Sequence, residues 1–305
     1  MSSPRSQLDA AAILLMVLLC ACWGFNQVAI KLANAGISPM LQAGIRSLGS
    51  ALLLWAWCSR RGVALLQRDG SLGLGILIGL LFGGEFVFLY WSLVFTAASR
   101  AVLFLYTAPF VVALGAHVFI PGERLRPVQA LGLASALAGT TLAFGDALRF
   151  PTSRELLGDG MAFIAALLWG ATTVVVKASR LVRINPAKTL FYQLGVSALL
   201  LPALSWAAGE RGVTAPTPFV LAMLAYQIVV VAFASYLTWY WLIARYPAGR
   251  LASFSFLTPL FGLLAGALLL GEPVSAALAA ALALVGIGIY LVYRAPVMTA
   301  APARR

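Results

Sequence analysis

The apolar positions along this chain form long runs, interrupted only by short segments that hold most of the charged residues. A run of about 17 to 25 apolar residues is long enough to cross a bilayer as a helix. Such runs recur from one end of the sequence to the other. The pattern predicts an all-α membrane protein with ten transmembrane helices, at residues 10–30, 40–58, 71–94, 100–120, 127–145, 156–178, 187–207, 217–243, 249–270 and 275–293.

The positions of the basic residues predict how this bundle is oriented. With the N-terminus in the cytoplasm, fifteen of the 21 lysines and arginines fall on the inner side, five fall on the outer side, and Arg46 lies within a helix. Lysine and arginine accumulate in the cytoplasmic loops of membrane proteins. We therefore expect a multi-pass protein of the cell (inner) membrane with both termini in the cytoplasm. The formal net charge of +12 reflects this topology and does not indicate nucleic-acid binding.

The second half of the sequence repeats the first. The segment WGFNQVAIK at residues 23–31 returns as WGATTVVVK at residues 169–177, and the pair Gly122-Glu123 returns as Gly271-Glu272. The offset between the copies rises from 146 to 150, and we expect the loops to absorb this drift. Because each copy holds five spans, the second starts on the opposite side of the membrane, so the repeats are predicted to be inverted.

The repeats define the predicted domain organisation. Two five-helix repeats at residues 10–145 and 156–293 are joined by a connecting loop at 146–155. Residues 1–9 and 294–305 are predicted to be cytoplasmic tails. Inverted repeats are typical of secondary transporters, whose substrate site lies near the middle of the membrane between the two halves.

These motifs resemble the EamA domain repeats of the drug/metabolite transporter superfamily. The resemblance rests on the two WG segments that end in lysine, on Pro109 and Pro259 within spans four and nine, and on the GE pairs at the ends of those spans. It covers residues 10–293 and implies secondary transport, with export favoured. The superfamily includes exporters of amino acids and metabolites, drug exporters and nucleotide-sugar carriers, so the resemblance implies no single substrate.

Glu85 is a carboxyl group deep within the predicted bundle. It lies about fourteen residues into the third span, roughly 21 Å along the helix. An ionisable group at such depth costs on the order of 3 kcal/mol and usually faces a cavity or a proton relay. We therefore predict that Glu85 contacts the solute and couples transport to protons. The alternative is a protonated carboxyl group that serves packing. The counterpart of Glu85 in the second copy is Ser235, which we also place at the cavity.

Arg46 lies about six residues into the second span, and its counterpart in the second copy is Gln193. It either binds a substrate carboxylate or pairs with Glu85, or it snorkels to the outer interface as long arginine side chains do. A polar residue at this position in both copies favours binding of a substrate carboxylate or of Glu85 over snorkelling. Arg46 and Gln193 are therefore predicted to bind substrate.

Four further substrate-binding residues come from the first and sixth spans and are themselves repeats. Trp23 and Asn26 stand three positions apart, so they share one face of a helix, and they return as Trp169 and Thr172. An aromatic residue beside a hydrogen-bonding group in both copies predicts a cavity lining. The alternative is that the tryptophans belong to the core and the polar pair joins neighbouring helices.

Tyr106 and Phe256 are equivalent residues three positions before Pro109 and Pro259. A proline inside a helix removes one backbone hydrogen bond and kinks it. We expect the kinks to act as gates, and Tyr106 and Phe256 to line the substrate cavity. By contrast, Lys31 and Lys177 end their spans and are predicted to snorkel. An aromatic belt at the interface is predicted for Tyr236, Trp239, Tyr240 and Trp241.

The leading functional hypothesis is a secondary transporter of small organic solutes such as amino acids or related metabolites. A drug or organic-cation exporter is the alternative within the same fold, and an intramembrane enzyme or a non-transporting sensor is the alternative from another class. We expect no catalytic residues, cofactor or metal, since His117 is the only histidine and the three cysteines lie in apolar spans. The expected partners are the solute and the lipid bilayer, with protons and a second copy of the chain as further candidates and no nucleic acid.

Overall fold

A computed structural model describes residues 7–145, 150–270 and 276–294 of this chain, and within these ranges it is built from helices. A short 3₁₀ helix at Arg180–Arg183 precedes α8, and a π-helix at Gln227–Ser235 joins α9 to α10. The α-helices are α1 (Ala10–Ala33), α2 (Pro39–Arg60), α3 (Leu72–Phe95), α4 (Ala98–Leu105), α5 (Ala108–Phe119), α6 (Pro127–Ala143), α7 (Ser153–Ala178), α8 (Pro186–Ala207), α9 (Pro218–Tyr226), α10 (Tyr236–Arg245), α11 (Ala248–Phe254), α12 (Leu257–Leu270) and α13 (Ala276–Arg294).

Eight helical segments of the described residues are long and apolar enough to cross a membrane: Ala10–Ala33, Leu72–Phe95, Arg100–Phe119, Ser153–Ala178, Pro186–Ala207, Pro218–Arg245, Ala248–Ala265 and Ala277–Arg294. The helices α2 and α6 are not among them. Helix α6 has only 17 residues, and α2 carries buried polar side chains. Both nevertheless pack along a neighbour within the bundle, α2 against α8 and α6 against α13.

The bundle has two ends, which we name by the helices that meet there. The inner end is where α1 begins and α7 ends, and the outer end is where α1 ends and α7 begins. Residues 271 and 272, the second copy of the GE pair, lie outside the described residues.

Two spans are interrupted close to Pro109 and Pro259, the prolines for which kinks were predicted. Helix α4 ends at Leu105 and α5 begins at Ala108, so that Pro109 lies in the first turn of α5. In the same way α11 ends at Phe254 and α12 begins at Leu257, with Pro259 as its third residue. Proline is tolerated in the first turn of a helix because the N–H groups there have no partner within the helix.

The span that contains the π-helix is longer than its counterpart in the first copy. The segment Pro218–Arg245 has 28 residues, whereas the equivalent α3 has 24. The offset between the copies is thus 146 where these helices begin and 150 where they end. The expectation that loops absorb the drift is wrong here, because the additional residues lie within the helical span.

Glycines allow the helices around the centre of the bundle to approach closely. A Cβ atom on Gly79 of α3 would lie 2.5 Å from the Val196 Cβ atom of α8. A Cβ atom on Gly24 of α1 would lie 2.7 Å from the Phe261 Cβ atom of α12. Real Cβ atoms do not approach so closely, so any larger residue at these positions forces the helices apart.

A buried ion pair connects α4 to α7 at the outer end. The guanidinium of Arg100 binds the carboxylate of Asp159, and the Thr96 hydroxyl donates to the same carboxylate at 2.9 Å. Both charged side chains are nearly inaccessible to solvent. A buried charge that loses its partner is costly, so this contact fixes the position of α4 beside α7.

Candidate functional site

A cavity of about 220 Å³ lies in the middle of the bundle. Its walls come from α1, α2, α3, α4, α7, α8 and α10, and therefore from both copies of the repeat. The structure places eight of the ten predicted substrate-binding residues on these walls: Trp23, Asn26, Arg46, Glu85, Tyr106, Trp169, Thr172 and Gln193.

Two of the predicted residues do not line this central cavity. Ser235 lies behind Trp23, whose indole Nε1 donates a hydrogen bond to the Ser235 hydroxyl at 2.8 Å. Phe256 is 0% exposed and packs edge-on against Phe110, with 6.4 Å between the ring centroids. Tyr106, the counterpart of Phe256, does line the cavity and contacts the Trp169 ring edge-on at 5.8 Å.

Arg46 points into the cavity and does not snorkel. The residue is 1% exposed, and its Cζ atom lies 4.6 Å from the centroid of the Phe86 ring. Its Nε and Nη2 atoms are buried and make no hydrogen bond with the described residues. Donors of this kind are expensive to bury without an acceptor, so an acidic group in the cavity could accept hydrogen bonds from them.

Glu85 is the other charged residue on the cavity wall among the described residues. It forms no ion pair with Arg46, whose Nε and Nη2 atoms make no hydrogen bond with the described residues. The cavity therefore offers one cation and one carboxyl group without direct contact between them. Such an arrangement can bind a solute that carries both signs of charge.

Aromatic rings form much of the remaining wall, and three of them were assigned wrongly from the sequence. Tyr236, Trp239 and Tyr240 line the cavity and do not form part of an interfacial belt. The Trp23 ring contacts Trp239 edge-on at 5.7 Å, and the Tyr240 hydroxyl donates to Gln193 Oε1 at 2.6 Å. Only Trp241 of the predicted belt is exposed, at 37%.

A signal in the repeat could have identified these three aromatic residues. At an offset of 150 they correspond to Phe86, Leu89 and Tyr90 of α3, and all three of those residues also line the cavity. Equivalent faces of α3 and α10 therefore meet the same space. The aromatic content of α10 alone does not distinguish this arrangement from an interfacial belt.

Lys177 was also assigned wrongly, since it does not snorkel. Its ammonium group donates to the backbone carbonyl oxygens of Ile243, at 2.6 Å, and Tyr246, at 2.8 Å. It also lies 3.9 Å from Glu123 Oε1. Its counterpart Lys31 is exposed, as predicted for a snorkelling side chain.

The two ends of the cavity differ. Towards the outer end its wall includes the exposed residues Gln27 and Leu93, the latter 44% exposed. Towards the inner end the wall stops at Thr173 of α7 and Ile243 of α10. Lys177 follows one helical turn after Thr173, beyond the cavity floor. The wall thus includes exposed residues towards the outer end and ends on buried residues towards the inner end.

Comparison with known proteins connects this geometry to a family. The sequence matches the EamA-like transporter family over residues 10–145 and 156–294. It is 29% identical to a protein of Salmonella typhimurium described as a "Probable amino-acid metabolite efflux pump", over 91% of this chain and 93% of that protein. A protein of Escherichia coli with the same description is 28% identical, over 94% of this chain and 95% of that protein.

The fold also resembles a solved structure. A crystal structure superposes with a TM-score of 0.80 and 25% sequence identity, and the match covers 94% of this chain and 99% of that one. The similarity extends over nearly the whole of both chains, so it includes the helices that form the cavity.

Proposed function

This chain belongs to the EamA-like transporter family, and we propose that it exports small zwitterionic solutes, such as amino acids and related metabolites, through the central cavity. It is an integral multi-pass membrane transporter with several apolar helices. The names of its relatives and of its family indicate transport and not catalysis. We place it in the inner membrane, with substrate moving from the cytoplasm to the outside.

The observation that carries this proposal is the presence of Arg46 and Glu85 on one cavity wall without an ion pair between them. The guanidinium of Arg46 can receive a carboxylate through two hydrogen bonds. The Glu85 carboxylate can receive an ammonium group. Aromatic rings, among them Phe86 and Trp239, would then surround the apolar part of the solute.

The size of the cavity favours a small solute over a drug. Its volume of about 220 Å³ is below the roughly 300–1,000 Å³ of sites for drug-sized ligands. A phosphorylated solute would need several cations, whereas Arg46 is the cation on the wall among the described residues. The relatives described as amino-acid metabolite efflux pumps support the same choice.

We also propose ten membrane spans in two inverted repeats, residues 10–145 and 156–293, with both termini in the cytoplasm. The helix contacts support this arrangement, since α1 packs on α12 while their counterparts α7 and α5 also pack together. Within these pairs, Gly24 approaches Phe261 and its counterpart Gly170 approaches Val111, at Cβ distances of 2.7 Å and 2.6 Å. Equivalent glycines thus meet equivalent neighbours.

Alternating access between the two halves would move the solute. Glu85 is the residue we propose for proton coupling, because it is a carboxyl group on the cavity wall near the middle of α3. Release of a proton from Glu85 would make the carboxylate available to an ammonium group. The helix breaks before Pro109 and Pro259 are the proposed gates.

Transport by purified protein in proteoliposomes tests this function. Counterflow should be measured for neutral amino acids, and for each amino acid the amine without its carboxyl group and the acid without its amino group should be measured in parallel. We expect the zwitterion to be transported and both truncated analogues to be poor substrates. Transport of cationic dyes without transport of any amino acid would contradict the proposal and favour the drug or organic-cation exporter.

A further inference from the structure

Equivalent helices of the two copies stand in different positions relative to the cavity. Ala101, Leu105 and Tyr106, in and just after α4, line the cavity wall. Their counterparts Leu251, Ser255 and Phe256, in and just after α11, are buried and lie away from the cavity. The first copy of the broken span is therefore next to the solute space, whereas the second copy is packed in the bundle.

The start of the packed helix α11 is held by a carboxylate from the first copy. Glu123 lies just after α5, and its Oε2 accepts hydrogen bonds from the backbone N–H groups of Ala248, at 2.8 Å, and Gly249, at 3.5 Å. These N–H groups belong to the first turn of α11 and have no acceptor within the helix. The negative charge is also favourable at the positive end of the helix dipole.

Lys177 holds the end of the preceding helix from another direction. Its ammonium group binds the Ile243 and Tyr246 carbonyl oxygens near the end of α10, and it lies 3.9 Å from Glu123 Oε1. The side chains of Lys177 and Glu123 are only 10% and 15% exposed. One largely buried cation and one largely buried carboxylate thus connect the end of α7, the end of α5 and the junction between α10 and α11.

Tyr246 extends this network to α1. Its hydroxyl donates to Asp9 Oδ2 at 2.9 Å, and Asp9 Oδ1 caps the start of α1 by accepting from Ala12 N–H. The contacts all lie at the inner end, immediately beyond Thr173 and Ile243, where the cavity stops. We call Asp9, Glu123, Lys177 and Tyr246 the inner latch.

We propose that the inner latch keeps the inner end of the cavity closed while the outer end is accessible, and that Glu123 and Lys177 are its central positioning residues. The inference rests on the proposed function, because a latch has a role only if access alternates. Opening the inner end requires α11 to leave its packed position. That movement separates the Ala248 and Gly249 N–H groups from Glu123, and the Tyr246 carbonyl from Lys177. Breaking the latch should therefore favour the state that is open to the inner end.

Side-specific labelling tests the latch without any substrate. The parent protein carries Thr173→Cys at the cavity floor, with Cys20, Cys22 and Cys58 replaced by alanine. A membrane-impermeant maleimide is then applied to intact cells and to inside-out vesicles. We expect the parent to be labelled from the outer end. Lys177→Met and Glu123→Gln should each raise the labelling rate from the inner end by about tenfold or more, because each weakens the charge-assisted contacts of the latch.

Two matched variants distinguish a latch from a general loss of packing. Lys188→Met removes another buried lysine at the inner end, which binds Asp69 at 2.8 Å. Glu210→Gln removes a carboxylate that caps a helix at the outer end, where it accepts from the Met40 and Leu41 N–H groups. Neither residue belongs to the latch, so neither change should increase labelling from the inner end.

The labelling rates also distinguish a failure of the inner latch from a failure of the proposed function. If Lys177→Met and Glu123→Gln fold and are labelled like the parent, the latch is wrong even if amino acids are transported. If either variant does not fold, Tyr246→Phe is labelled instead, because it removes only the hydroxyl that binds Asp9. The latch is supported if Tyr246→Phe is labelled from the inner end faster than the Lys188→Met control, and it is overturned if the two labelling rates are equal. Absence of amino-acid transport with increased inner labelling would refute only the substrate proposal.

Discussion

The indole nitrogen of Trp23 lies 2.8 Å from the Ser235 hydroxyl and donates a hydrogen bond to it. Trp23 belongs to the first copy of the repeat and Ser235 to the second, so this bond spans the boundary between the halves. It sets the angle of an indole ring that lines the cavity and contacts both Tyr236 and Trp239 edge-on. Ser235 therefore acts on the site through Trp23.

Ser235→Ala should weaken solute binding without preventing it. The change leaves the indole N–H without its acceptor, which costs about 1 kcal/mol. We expect the solute concentration for half-maximal transport to rise about fivefold. Thr238→Ala is the matched control on the same span, because its exposed hydroxyl bonds only to the Ala234 carbonyl of its own helix. Equal kinetics for the two variants would mean that Ser235 does not position the ring.

Arg46→Gln and Glu85→Gln should affect different parts of the solute. Arg46→Gln removes the cation, so it should lower transport of carboxylate-bearing solutes by about 10- to 100-fold and remove the preference over the matching amines. Glu85→Gln should remove the preference for solutes with an ammonium group. Glutamine is chosen to replace Arg46 because the second copy has glutamine at the equivalent position, Gln193, which is buried within α8. Loss of both preferences to the same extent in each variant would contradict separate roles.

Glu85→Gln also tests proton coupling. A glutamine cannot release a proton, so transport driven by a pH gradient should be lost. Counterflow of a neutral amino acid should survive at a reduced rate, because that exchange needs no proton. The measurement compares gradient-driven uptake and counterflow in the same proteoliposomes. An unchanged dependence on the pH gradient would show that the Glu85 carboxyl serves packing.

Gly79→Ala should lower the thermal stability of the protein. An added Cβ atom would lie 2.5 Å from the Val196 Cβ atom, and such overpacking costs about 1–3 kcal/mol. Gly73→Ala on the same helix is the control, since nothing lies within 4 Å of the added atom. The melting temperature in detergent should fall for Gly79→Ala and stay the same or rise slightly for Gly73→Ala. Equal melting temperatures would contradict the close contact between α3 and α8.

Asp69 should stabilise the inner end over a wide range of pH. Hydrogen bonds from Lys188 and then from Ser71 hold the pKa of this loop carboxyl well below its ordinary value of 3.8. A carboxyl whose pKa is depressed on folding contributes stability above the unfolded pKa, and that stability is lost as the pH falls through the folded pKa. Asp69→Asn should therefore lower the melting temperature by the same amount at about pH 7 and about pH 5, and by less at about pH 3. A decrease in melting temperature that is larger at about pH 3 than at about pH 7 would contradict this prediction.

The cavity residues that could be predicted from the sequence are those identified by their position within one span or by their repetition. Glu85 was identified by its depth within one helix, and Trp23 and Trp169 by their repetition. Such features depend on local position, so a linear pattern is sufficient. Arg46 was assigned to the cavity only because its counterpart Gln193 is also polar, and the structure places it on the cavity wall.

The part that the sequence did not predict depends on contacts between distant segments. Lys177 binds carbonyl groups that are 66 and 69 residues away, and no local pattern indicates such partners. Phe256 repeats Tyr106 in sequence but not in environment, because one copy of the broken span lines the cavity and the other is packed. A duplicated sequence shows which residues correspond, but it does not show which copy lines the cavity.

The π-helix at Gln227–Ser235 lies in the longer copy of a span that is present twice. After a gene duplication, insertions usually persist in loops, where they leave side-chain facing unchanged. Here the second copy is longer inside a span, and Tyr236, Trp239, Tyr240 and Ile243 line the cavity, as do Phe86, Leu89, Tyr90 and Leu93 at an offset of 150. The two copies of this span thus differ in length, whereas the spacing of their cavity-lining residues is the same.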